Sequence, residues 1–116
     1  MPAYAVIFTS QRTAGDNGYT ETAAELTRLA ETMPGYLGAH SVREPGGAGI
    51  TISYWESPEA IAAWRDHPAH VAARRRMNEW YASWSLTVCR VERANTWPGA
   101  DRKRTARDQT ESDSAD

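Results

Sequence analysis

A single cysteine, Cys89, stands in 116 residues, so the chain can form no disulfide within itself and no cysteine cage around a metal. Charge of one sign is equally scarce: 13 lysines and arginines against 15 aspartates and glutamates give a formal net charge of -2. Gripping a phosphate backbone requires a basic face, so nucleic acid is not an expected partner. No run is apolar enough to cross a bilayer, and the opening MPAYAVIFTSQR lacks a basic stretch leading into a long apolar one. Neither export nor membrane insertion is expected, which makes the cytoplasm the expected location. Phenylalanine is almost missing as well, with Phe8 alone against 5 tryptophans and 5 tyrosines. Indole and phenol rings join a large apolar body to a polar handle, and such a set suits both a tryptophan-rich core and an aromatic-lined ligand pocket.

What is present is enough for one domain. Residues Tyr4 to Thr13 alternate and are rich in β-branched and aromatic types, which predicts a strand with apolar residues on both faces. Gly15, Asp16, Asn17 and Gly18 signal a turn. Ala23, Leu26, Leu29, Ala30 and Met33 then recur at helical spacing until Pro34-Gly35. A hairpin follows, with strands at Tyr36 to Glu44 and Gly49 to Glu56 around Pro45-Gly46-Gly47. Ser57, Pro58 and Glu59 form a helix start with a cap, a pre-set first turn and a charge that complements the dipole. That helix carries Ile61 and Trp64 inward and should end near His67, ahead of Pro68. A further helix is predicted from Ala69 to Tyr81, and a last strand from Trp84 to Arg93.

The order β-α-β-β-α-β, with its second helix broken at Pro68, predicts the α+β, ferredoxin-like split arrangement: a four-stranded antiparallel sheet with helices on one face. Hiding the other face of a sheet whose strands are apolar on both sides calls for a second copy, so a homodimer is expected. Residues 1–96 are read as the folded domain. From Trp97 onward the periodicity stops, and RKRTARDQTESDSAD reads as a polar, mobile tail over 97–116.

The run GITISYWESPEAIAAWRDHPAH, from Gly49 to His70, with EWY at Glu79 to Tyr81, resembles the antibiotic biosynthesis monooxygenase superfamily of dimeric α+β barrels. YAVIFTSQR at Tyr4 to Arg12 and GDNGY at Gly15 to Tyr19 resemble a bacterial branch of that group. The resemblance spans roughly Tyr4 to Ala94. It implies one of several chemistries, because the superfamily includes oxygenases that convert phenolic polyketides to quinones without metal or flavin, haem-degrading enzymes, and members with no assigned activity.

Cofactor-free oxygenation asks for a dry pocket, a proton acceptor and donors for a developing oxyanion. His70 and Arg74, one helical turn apart, fit the last two roles: His70 as proton acceptor and Arg74 as anion stabiliser. Tyr54, Trp64, Met77, Trp80 and Tyr81 are the expected substrate-binding walls, for a small aromatic molecule. Each has a plainer reading. His70 can be satisfied by a neighbouring carbonyl, Arg74 belongs to the solvated run Arg74-Arg75-Arg76, Trp64 fits a core, and His67 can meet the last carbonyls of its helix. No metal is expected, because Pro68 interrupts the His67/His70 spacing and His40 lies on a strand elsewhere. Haem ranks third, after oxygenation and after a non-catalytic module that binds a hydrophobic metabolite. Trp64 matches the tryptophan of haem-degrading relatives, but the first strand lacks their asparagine, and their axial histidine falls at or near Arg74, which cannot ligate iron. No cofactor is therefore expected.

Overall fold

The computed structural model describes residues 3–98. The tail predicted over 97–116 lies outside them from residue 99 onward. Four strands, β1 (Tyr4–Arg12), β2 (Tyr36–Arg43), β3 (Ala48–Trp55) and β4 (Tyr81–Arg90), form one antiparallel sheet in the order β2-β3-β1-β4. Between them run α1 (Tyr19–Ala30), α2 (Pro58–Arg65), α3 (Pro68–Arg74) and the single turn α4 (Met77–Trp80). This is the α+β, ferredoxin-like fold that the pattern predicts, with β1 at the centre where both of its neighbours can pair with it. Among the described residues no helix is long and apolar enough to cross a membrane.

The first three helices begin where local chemistry dictates. At α1 the Asp16 carboxylate accepts from the backbone N–H groups of Gly18 and Thr20, both at 3.2 Å, and from the Thr20 hydroxyl. Gly18 there holds φ of 83°, a left-handed conformation that costs an ordinary residue more than glycine. At α2 Ser57 Oγ accepts from Ala60 N–H at 3.1 Å, with Pro58 pre-setting the first turn. At α3 the cap is a histidine: His67 Nδ1 accepts from Ala69 N–H at 3.1 Å, and Pro68 opens the helix. Pro68 thus ends one helix and starts the next.

The end of this helical segment differs from the sequence reading. One helix was expected from Ala69 to Tyr81 and a strand from Trp84; α3 stops at Arg74, α4 supplies one more turn, and β4 already begins at Tyr81 and ends at Arg90. The cause is long-range. The Trp80 carbonyl accepts from both Thr13 N–H and Arg12 Nε–H at 2.9 Å, and the Glu79 carbonyl accepts from the Thr13 hydroxyl at 2.7 Å. These bonds draw the backbone at 79–81 onto the end of β1, where Tyr81 pairs with Arg12. Tertiary pairing overrides the helical periodicity.

Side chains alternate across the strands, so register assigns each residue to a face. Tyr4, Val6, Phe8 and Ser10 share one face with Trp55, Ser53, Thr51 and Gly49 of β3 and with Val88, Leu86 and Trp84 of β4. Ala5, Ile7 and Thr9 share the other with Tyr54, Ile52 and Ile50, and through β3 with His40 and Val42 of β2. The helices cover the first face. Trp55 is only 1% exposed there, packed edge-on against Tyr36 at 5.4 Å, and Tyr19 of α1 reaches down to Tyr81 at 5.7 Å. On the second face Val42 is 63% exposed and Ile50 is open to solvent as well.

The hairpin and the helix layer meet at Gly35, whose φ of +85° and whose position, 2.6 Å from Ala60 Cβ for any added Cβ, both demand glycine. Gly35→Ala should therefore lower stability by more than about 1 kcal/mol in urea unfolding, whereas Gly46→Ala, with nothing within 4 Å, should not. Equal midpoints for the two variants would show that α2 does not approach β2 as closely as described.

Candidate functional site

His70, Arg74 and Trp64 form one cluster on the helix layer. The His70 ring stands edge-on to Trp64, with centroids 5.0 Å apart, and Arg74 Nη1–H donates to His70 Nδ1 at 3.3 Å and to the Arg65 carbonyl at 2.6 Å. A guanidinium has no acceptor, so Nδ1 is the accepting nitrogen and the neutral ring carries its proton on Nε2. Burial first, then the Arg74 guanidinium and the neighbouring His67, push His70 from 6.5 down to about 4. At neutral pH the ring is uncharged.

This geometry changes the role given to His70. A base this weak takes a proton poorly at pH 7, because efficient proton transfer needs a pKa near the working pH, and its acceptor nitrogen is already engaged. What it offers is the Nε2–H, a neutral donor. Arg74 itself is exposed and closes the C-terminal end of α2 through the Arg65 carbonyl, which ties α3 back to α2. The arginine run is not a uniformly solvated face: Arg76 lies 4.7 Å over the Trp80 ring and pairs with Glu79 at 3.1 Å, leaving Arg75 as its open member. His67 caps α3 rather than closing the helix before it.

The other expected walls divide. Tyr54 alternates with Trp55, so the sheet turns it to the uncovered face, where its ring lies 6.1 Å from His40; it is not gathered with Trp64 and His70. Met77 is half-buried at the start of α4. Trp80 is buried, with Nε1–H donating to the Asn17 carbonyl at 3.0 Å. Tyr81 belongs to a second cluster at the Arg12 end of β1, edge-on to Phe8 at 5.3 Å and to Tyr19 at 5.7 Å. Burial, then the neighbouring Tyr19 hydroxyl, raise the Tyr81 phenol, against a smaller opposing pull from Arg43 and Arg12.

Arg12, Tyr19 and Arg43 were not singled out as site residues from the sequence. The signal lay in YAVIFTSQR and GDNGY, which carry Arg12 and Tyr19; nothing local points to Arg43. Among the described residues no three His, Cys, Asp or Glu side chains gather closely enough to hold a metal ion.

The family model described as antibiotic biosynthesis monooxygenase matches residues 4–76. The uncharacterized protein YqjZ of Bacillus subtilis (strain 168) is 48% identical over 93 residues, which span 79% of this chain and 82% of that one. Among solved structures, SnoaB, a cofactor-independent oxygenase from Streptomyces nogalater, is similar with a TM-score of 0.68 and 11% identity over 85% of this chain and 100% of its own. Rv0793 from Mycobacterium tuberculosis is similar with a TM-score of 0.70 and 14% identity over 80% of this chain and 98% of its own. At such identities the two structures speak to the fold alone.

The depressed pKa of His70 has a signed consequence for stability. Below pH 6.5 an unfolded histidine binds a proton that the folded ring refuses until about pH 4, so stability should fall as pH drops through that window. The urea midpoint should fall more between pH 7 and pH 5 for the natural chain than for His70→Gln, and parallel curves would mean that the ring is not held neutral.

Proposed function

The chain belongs to the antibiotic biosynthesis monooxygenase family, and from that premise we propose that it is a cofactor-independent monooxygenase oxidising a small phenolic, polyketide-like aromatic compound with molecular oxygen. The observation that carries this reading is the neutral His70, packed against Trp64 and presenting a donor instead of a charge. A deprotonated, electron-rich ring reduces oxygen itself; one oxygen atom becomes the new carbonyl oxygen, and the other leaves as water with the two hydrogens of the oxidised ring carbon. The protein then has to exclude water and stabilise negative charge as it develops on oxygen. His70 Nε2–H serves as that donor; burial first, and then the charge of Arg74, keep the ring neutral, while the Arg74 hydrogen bond occupies Nδ1.

The helix-covered side also offers an apolar wall. Phe8 stands 6.1 Å from Trp84, and Trp84, Leu86 and Val88 are each about half exposed along β4, on the same face. An aromatic substrate laid against this strip would bury surface worth about 25 cal/mol per Å². SnoaB, similar in fold, is a cofactor-independent oxygenase, which agrees with this reading. The protein is further proposed to act in the cytoplasm as a homodimer, with a second copy over the uncovered face of the sheet.

Oxygen uptake with a panel of hydroxylated anthrones tests the activity. Turnover is expected with at least one of them, reduced about a hundredfold in His70→Ala. Arg74→Met should lower turnover and move the acidic limb of the pH profile upward, since the cation that depresses His70 is gone, whereas Arg75→Met should do little. Binding without uptake across the panel would favour the non-catalytic metabolite-binding module, and equal small effects of both arginine variants would remove His70 and Arg74 from the site.

A further inference from the structure

Arg43 crosses the sheet. From β2 its side chain lies over Gly49 of β3, where an added Cβ would stand 2.5 Å from the guanidinium carbon, and reaches Ser10 Oγ of β1 at 2.8 Å. Its other recorded bond is to the Gly47 carbonyl, through Nη1–H. Arg12 approaches the same place from β1, with its guanidinium carbon 3.6 Å above the Tyr19 ring, while that of Arg43 lies 5.9 Å from the centroids of Tyr19 and of Tyr81. Arg12 gives Nε–H to the Trp80 carbonyl and Nη2–H to the Gly15 carbonyl.

A guanidinium has five N–H donors, so each of these arginines keeps several unspent. Among the described residues the ion pairs are Arg28 with Glu25, Arg65 with Asp66 and Arg76 with Glu79; neither Arg12 nor Arg43 is within ion-pair distance of a carboxylate. Two like charges held half-buried beside one aromatic ring, hydrogen-bonded only to neutral oxygens and with the Asp16 carboxylate acting on Arg12 from beyond ion-pair distance, gain from an anion that joins them. Both arginines line one open cleft of about 560 Å³, between the β1–α1 loop and the β2–β3 hairpin. Two carboxylates border it, Asp16 and Glu44. Asp16 keeps its charge, since the α1 cap lowers its pKa, but its oxygens are engaged by Gly18 and Thr20; the Glu44 side chain makes no hydrogen bond or ion pair among the described residues and is the carboxylate free to turn toward an incoming anion.

We propose that this cleft is a binding site for the carboxylate of a small organic acid, held by Arg12 and Arg43. Planar guanidinium forks match the two oxygens of a carboxylate, and the bare Cα of Gly49 gives Arg43 the room to lie flat beneath it. The site is separate from His70 and Arg74 and does not depend on whether the protein is an oxygenase.

Calorimetric titration of the full chain with benzoate, with neutral benzamide and with inorganic phosphate tests the site. Benzoate should bind saturably and at least tenfold more tightly than benzamide or phosphate, and its affinity should fall as salt rises. Arg43→Met and Arg12→Met should each weaken benzoate about tenfold or more, with Arg43→Lys recovering part of the loss. Glu44→Gln, a change at the rim that disturbs no recorded contact, should tighten benzoate and so reads the site even if an arginine variant fails to fold. No saturable benzoate binding at millimolar concentration, equal binding of benzoate and benzamide, phosphate binding as tight as benzoate, or a Glu44→Gln variant that binds no tighter would each overturn the proposal.

Discussion

Alternation of side chains along four antiparallel strands, under a helix layer that covers one face only, is the constraint on which the other features depend. Because neighbours in a strand face opposite ways, Trp55 is sealed beneath the helices while Tyr54, one residue earlier, lies against His40 on the uncovered side. The same rule puts Ser10, Gly49 and Arg43 in one row across three strands, which lets a single side chain span them. It also leaves Val42 and Ile50 facing solvent on a surface that a soluble monomer gains nothing by exposing.

The charges follow from that layering. Near the helix layer the protein keeps histidine neutral: burial and the Arg74 guanidinium act in the same direction on His70, and the hydrogen bond from Arg74 fixes which ring nitrogen bears the proton. Around Tyr81, beside the Arg12 end of β1, the balance differs. There two guanidiniums surround the Tyr19 and Tyr81 rings, and burial raises the Tyr81 phenol despite them. One cluster thus presents a neutral donor beside an indole, and the other presents positive charge beside phenols. A molecule carrying both an aromatic ring and an acidic group meets complementary chemistry at each.

Much of the fold was legible because its punctuation is local. Ser57-Pro58-Glu59 starts a helix by its own capping chemistry, Pro68 must interrupt one, and Pro45-Gly46-Gly47 must turn the hairpin, whatever the rest of the chain does. The boundary at Tyr81 was not legible, since it is set by Arg12 and Thr13 bonding to carbonyls more than sixty residues away in sequence. The pairing of His70 with Arg74 could be anticipated from a one-turn spacing, but not the direction of their hydrogen bond, which decides whether the imidazole gives or takes a proton. Arg43 is illegible for a similar reason: its surroundings depend on a glycine in the next strand and a serine in the one beyond.

A sheet with one covered face and apolar residues on the other gains by having that face closed, and a second copy of the chain is the proposed partner. Sedimentation velocity of the full chain at micromolar concentration tests the assignment directly. A single species of twice the chain mass, converted toward monomer when Val42 and Ile50 are replaced by lysine, is the predicted result. A stable monomer at that concentration would contradict it.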